Sequence, residues 1–184
     1  ISKIIQCLVG SCLNRENILD VGCWIGFLTN YLAENDPYAK FTGIDISEKS
    51  LNIARENAEK MNLHNVEYRV ANLLNLRDSF EEDSFDSVLL IDVLDDTSRE
   101  GNIGDFMLDE KIEEVSRITQ EKGLVTIKFT KAGKYGSDWE NTLPKILKRH
   151  SIETSKYYTK IEYTFSNGNT TDSFIISGVK NERL

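Results

Sequence analysis

The stretch Asp20-Val21-Gly22-Cys23-Trp24-Ile25-Gly26 carries the most chemistry in this 184-residue chain. It closes the apolar run NILDV (17 to 21) and precedes a helical pattern. Gly22 and Gly26 therefore fall in a strand-to-helix turn, where glycines let a backbone approach a ligand and the helix start offers unpaired N–H groups. A plain βα connection would look the same. Asp45 ends the next strand-like run, KFTGID, on the order of 20 residues further on, where α/β nucleoside sites place a carboxylate for ribose hydroxyls. The alternative for Asp45 is a solvated loop acid. Asn72, after the run NVEYRV, is a candidate to read an adenine edge, or else a turn residue.

These residues need elements to hold them, and the hydrophobic periodicity supplies a regular set. Ile4, Ile5, Leu8, Val9 and Leu13 share one helical face ahead of the strand 17 to 21. Phe27, Leu28, Tyr31 and Leu32 restore the helical period, 40 to 45 reads as a strand, and Ser47 followed by Glu48 reads as an N-cap opening a helix to about Asn62. Strands follow at 65 to 70 and 85 to 91, a helix at 106 to 119, a strand at 123 to 129, and a helix over 139 to 149 despite Pro144. Two last strands, 156 to 165 and 171 to 179, flank Ser166-Asn167-Gly168-Asn169, a strong hairpin signal. The expected fold is α/β: a doubly wound, mostly parallel, seven-stranded sheet with a C-terminal antiparallel hairpin and ligands at the carboxyl ends of the strands.

With LDVGCxxG, GIDIS, LNIARENAEKMNLHNVEYRVANL, FDSVLLIDVL and GLVTI in this order over nearly the whole length, the chain resembles the class I S-adenosylmethionine-dependent methyltransferases, whose fold is Rossmann-like. The resemblance implies S-adenosyl-L-methionine as cofactor. It implies that the loop from Asp20 through Gly22, Cys23 and Trp24 to Gly26 cradles the methionine end, that Asp45 holds the ribose, and that Ile46 packs on the adenine. Asn72 and Leu73 then meet the base, and Asp92 lines the methyl-transfer site. Two departures stand out. Trp24 replaces the usual second glycine, which is costly if that backbone needs positive φ. Asn72 replaces the usual Asp, keeping an acceptor but losing a charge.

The run IDVLDDTSRE offers Asp92, Asp95 and Asp96 as bases or acceptor-binding groups. Asp96 falls where many small-molecule relatives carry a His; Asp95 and Asp96 could equally cap the next helix. No metal is expected, because Lys128 stands where a catechol-type enzyme completes its cation site. Lys128, Lys131 and Lys134 in KFTKAGK suit an anionic part of an acceptor. Asp92 with Lys128 also matches half of the Lys-Asp-Lys-Glu tetrad of RNA ribose 2′-O-methyltransferases, whereas the Asn/Asp-Pro-Pro-Tyr motif of amino methyltransferases is replaced by Ile91-Asp92-Val93-Leu94. The expected reaction is methyl transfer to O or N of a small molecule. Ribose methylation of RNA, or a non-catalytic S-adenosylmethionine-binding module of a larger protein, are the alternatives.

Length and composition are those of one domain spanning 1–184, with Ile1 in place of an initiating Met pointing to a trimmed N-terminus. The formal charge of −8 disfavours a surface devoted to nucleic acid. No apolar run approaches the roughly 20 residues that a membrane span needs. Cys7, Cys12 and Cys23 form no CxxC pair and read as buried thiols, which favours a cytoplasmic location. His64 falls in a turn at the amino end of the sheet and His150 after a helix, both away from the expected site.

Overall fold

The computed structural model describes residues 3–94, 103–131, 139–154, 159–164 and 170–182. Helices and strands alternate along the chain: α1 (Lys3–Cys12), β1 (Asn17–Val21), α2 (Phe27–Asn35), β2 (Lys40–Asp45), α3 (Glu48–Lys60) and β3 (Val66–Val70). A 3-10 segment (Leu73–Asp78) leads to β4 (Phe85–Ile91), α4 (Ile103–Ile118), β5 (Thr119–Lys131), α5 (Trp139–Arg149), β6 (Ile152–Thr154), β7 (Thr159–Thr164) and β8 (Thr170–Lys180). Strands β1 to β5 pair in parallel in the order β3-β2-β1-β4-β5, and β8 joins β5 antiparallel.

The sheet has the seven rows expected, but the outermost row is in two pieces. β6 and β7 both pair antiparallel with the same edge of β8. Thr154 pairs with Gly178 and Thr159 with Ile175, so the edge advances two residues more than β8 over that interval, and the change of register divides it. The turn Ser166-Asn167-Gly168-Asn169 predicted for the hairpin lies outside the described residues. Pro144 sits inside α5 as predicted, while Leu143, Ile146 and Leu147 stay buried.

Parallel strands buried on both faces must carry apolar side chains in both directions, and these do. Leu19, Val21, Val88 and Leu90 pack with α4, α5 and the 3-10 segment; Ile18, Phe41 and Leu89 pack with α1 and α2. α3 closes over Cys23 and Tyr68 in a third cluster. A line of buried hydroxyls fixes α1: Ser87 Oγ donates to Ser11 O (3.1 Å) and Thr126 Oγ1 to Ser11 Oγ (2.9 Å). Among the described residues no helix is long and apolar enough to cross a membrane.

The topology places a crevice. β1 is flanked by β2 on one side and β4 on the other, so the connections leaving β1 and β4 diverge, and it is at the carboxyl ends beside such a divergence that open α/β sheets bind ligands. The amino end of the sheet is closed differently: Asn65 Nδ2 lies 3.0–3.1 Å from the carbonyls of Ala33, Asp36 and Ala39, tying the α2–β2 turn to the start of β3. Replacing Asn65 with Ala leaves those carbonyls short of a donor. Urea denaturation is expected to show a loss of about 1–3 kcal/mol, and a change below the error of the fit would contradict it.

Candidate functional site

The glycine turn after β1 has left-handed backbone at alternate residues: Gly22 (φ 70°), Trp24 (φ 51°) and Gly26 (φ 73°). The loop is pinned to β2 by Cys23 N–H donating to Ile44 O (2.9 Å) and closed on itself by Gly26 N–H donating to Cys23 O (2.9 Å). The two glycines are required by the protein beneath them. A Cβ on Gly22 would meet Val93 Cγ2 at 2.7 Å, and one on Gly26 would meet the Tyr68 hydroxyl and, at 2.8 Å, the Ala54 Cβ. Val93 and Tyr68 thus fill the space that side chains at these two positions would need.

Tyr68 was not predicted as part of this site. It is the one buried residue of the edge strand VEYRV, and its hydroxyl donates to Asn30 Oδ1 at 2.7 Å in α2, with burial pushing the phenol pKa up. An aromatic flanked by Glu67 and Arg69 was the available signal. The ring also lies against Gly43, where a Cβ would meet it at 2.5 Å, so the glycine loop, β2, α2 and α3 converge on this side chain of β3.

Asp45, at the tip of β2, bridges two backbones: its Oδ2 accepts from Trp24 N–H (3.0 Å) and its Oδ1 from Ser47 N–H (2.9 Å). Ser47 in turn caps α3, its Oγ accepting from Ser50 N–H at 3.2 Å, as the sequence suggested. Several apolar residues at the tips of β1 to β3 are exposed. Trp24 is 63 % exposed, Ile46 75 % and Phe27, the first residue of α2, 73 %; Val70, the register partner of Asp45, is half exposed. Phe27 and Val70 were read only as parts of a helix and a strand. The N-cap of α2 is Gly26, which offers no side chain to the first-turn amides.

Asp20 lies beneath the loop at 3 % exposure, its Oδ2 accepting from Thr29 Oγ1 at 2.6 Å. Burial raises its carboxyl pKa to about 6, the Thr29 hydrogen bond opposes the rise, and the Asp45 charge adds to it. Cys23 is buried beside it, and burial likewise pushes its thiol upward. At the third strand, Asn72 Oδ1 accepts from Leu74 N–H (3.0 Å) and so caps the 3-10 segment. The Leu73 side chain is buried in the main core at 7 % exposure, which leaves its backbone as the part able to reach outward.

Across the crevice, Asp92 follows β4 with φ 55°, its N–H donating to Lys128 O at 2.9 Å, while Lys128 Nζ forms an ion pair with its carboxylate. Lys128 is 8 % exposed and Asp92 is open to solvent. Val93, next in sequence, lies over Gly22, so the tip of β4 touches the glycine loop. Asp95, Asp96 and Lys134 lie outside the described residues, as does the side chain of Lys131. His64 lines a groove of about 540 Å³ at the opposite end of the sheet, with Lys40 and Arg69. His150 Nε2 is 3.0 Å from Asp109 Oδ1. Among the described residues no cluster of His, Cys, Asp and Glu of metal-binding size occurs.

Comparison with known proteins adds to this geometry. A family described as methyltransferase domain matches residues 14–172. A demethylmenaquinone methyltransferase of Listeria welshimeri is 37% identical over 75 residues, 40% of this chain and 31% of that protein. The chain spans little more than half, or less, of the length of the curated relatives it matches first. Among solved structures, an S-adenosylmethionine-dependent methyltransferase from Methanosarcina mazei aligns with TM-score 0.75 and 21% identity, covering 100% of this chain and 99% of that one. The N-methyltransferase NodS from Bradyrhizobium japonicum, solved with S-adenosylhomocysteine, aligns with TM-score 0.73 and 15% identity over 97% of this chain and 85% of that one. At these identities the structural matches establish the fold.

Two predictions come from the loop and from Asp20. Gly26→Ala combines positive φ with a clash against Tyr68 and is expected to cost about 2–4 kcal/mol in urea denaturation; Trp24→Gly, relaxed at φ 51°, is expected to stay within about 1 kcal/mol of the parent. Because Asp20 titrates higher when folded, the native state holds more protons than the unfolded chain between about pH 4 and 6. Its contribution to stability is thus full below that window, falls as pH rises through it and is level above. The slope is expected to disappear in Asp20→Asn, and an unchanged slope would assign it elsewhere.

Proposed function

The chain belongs to the methyltransferase-domain family, and on that premise we propose that it transfers a methyl group from S-adenosyl-L-methionine, the cofactor of this family, to an oxygen or nitrogen of a small molecule. The observation that carries the reading is the Asp45 carboxylate, fixed by two backbone amides at the tip of β2, with the exposed apolar residues Trp24, Ile46 and Val70 as its hydrogen-bond, sequence and register neighbours. A carboxylate so held suits a pair of sugar hydroxyls, and the apolar surface beside it suits a flat base.

In this reading Asp45 grips the ribose, Ile46 and the backbone at Asn72 and Leu73 take the base, and the loop from Asp20 through Cys23 to Gly26, with the uncapped first turn of α2, takes the amino-acid end. Asp20, buried and poised near pH 6, is the acid beneath that end. The cofactor supplies a methyl group already activated on sulfur, so the chain has mainly to orient an acceptor and, where the acceptor is protonated, to remove its proton. Asp92, with its carboxylate held by Lys128, lines the acceptor side; Asp96 is assigned as the base, and Asp95 and Lys131 as acceptor contacts. The Lys128–Asp92 pair also favours a second reading, ribose 2′-O-methylation of RNA, of whose tetrad it would be half. The acidic net charge supports the small-molecule reading over it.

Calorimetry is expected to give binding of S-adenosylmethionine and S-adenosylhomocysteine and none of NAD, with Asp45→Ala weakening binding by about 1–3 kcal/mol, as for loss of a charge-assisted hydrogen bond. Tight NAD binding would remove the reading. Incubation with labelled donor and separate small-molecule and RNA pools then distinguishes the acceptors: label in RNA that is lost on Lys128→Met would favour the second reading.

A further inference from the structure

Trp24 is a departure that the site, as assigned so far, leaves unused. A bulky aromatic residue occupies backbone at φ 51°, where glycine would sit without strain, and the ring it carries there is exposed rather than packed. Strain retained at an exposed position argues for a task of the side chain. Among the described residues, Asp20, Asp45 and Asp92 lie at the carboxyl ends of β1, β2 and β4, while the nearby cations are paired, Lys128 with Asp92 and Arg55 with Glu48. An aromatic face in a carboxylate-rich crevice suits a cation, since the ring quadrupole and the acids attract the same sign.

The position of Trp24 in the loop says which cation. Its amide is held by Asp45, the ribose ligand of the proposed function, and the residues before it, Asp20 to Cys23, belong to the amino-acid end. In the donor, the sulfonium is the atom joining those two parts. Building on that donor-binding reading, we propose that Trp24 reads the charge on the sulfur, its indole taking the sulfonium so that the chain binds the cationic donor more tightly than the neutral thioether left after transfer. When the methyl passes to the acceptor, the carbon–sulfur bonding pair stays on sulfur, the charge is gone, and the ring loses its attraction for the product.

The test is calorimetry on the full chain with S-adenosylmethionine and S-adenosylhomocysteine, in the parent, Trp24→Gly and Trp24→Phe. Glycine is chosen because it accepts the backbone, and circular dichroism verifies the fold. Trp24→Gly is expected to weaken S-adenosylmethionine binding by about 2- to 30-fold and S-adenosylhomocysteine much less, while Trp24→Phe keeps most of the difference. Equal losses for both ligands, or Phe behaving as Gly, would overturn the role. The second readout needs no change at position 24: the chain has two tryptophans, so in Trp139→Phe the emission is that of Trp24. The donor should perturb it more than the thioether, and identical spectra with both ligands would count against the proposal. If the parent binds neither ligand, the donor-binding reading fails too; if it binds both and Trp24→Gly leaves their ratio unchanged, only the role of Trp24 falls.

Discussion

A single carboxylate joins the parts of this site. Asp45 ends β2, accepts the Trp24 amide from the β1 loop and the Ser47 amide that opens α3, and so fixes three segments that approach the crevice from different directions. Each bond is charge-assisted, so it is stronger than a neutral pair in the same place. The glycine loop cannot shift relative to β2 without breaking it, and the outward-facing surface of Trp24 and Ile46 is set by that restraint.

Beneath the carboxylate the loop is held by packing. Tyr68 rises from an edge strand whose neighbours are charged, fills the space that Gly26 and Gly43 leave vacant, and hands its hydroxyl to Asn30. Val93 does the same under Gly22 from the opposite side of the crevice. The turn is thus clamped between β3 and β4, and its positive-φ residues persist because their surroundings over-determine them. Buried Asp20 adds a further local cost, since its charge is poorly solvated and the Thr29 hydroxyl offsets only part of that. Strained backbone and a poorly solvated acid in one loop is the pattern of a region shaped for binding rather than for stability alone.

The β4–β5 side of the crevice is organised by an ion pair. Lys128 is buried and reaches Asp92 across adjacent strands, while the Asp92 backbone, also at positive φ, donates back to the Lys128 carbonyl. A buried lysine without that carboxylate would be costly to keep charged. The pair gives the crevice one fixed dipole opposite the glycine loop, and the orientation of Asp92 follows from it.

Local pattern was enough for much of this protein. The 3.6 periodicity and the short apolar runs located the helices and every strand but β6, Ser47 marked the start of α3, and a glycine turn followed by an acid ending the next strand pointed to a nucleoside-type site, because each is a property of neighbouring residues. What the linear order left open depends on which strands pair and in what register. Tyr68 lies under Gly26, 42 residues earlier, Lys128 meets Asp92 across 36 residues, and Thr29 donates a hydrogen bond to Asp20. The division of the outer strand into β6 and β7 is likewise a register change against β8. A side chain's neighbour across a sheet is set by pairing register, which moves every contact at once and which the residue pattern of a single strand does not encode. For that reason the sequence by itself determined the elements and the kind of site, and the tertiary structure alone decided what each side chain there is free to do.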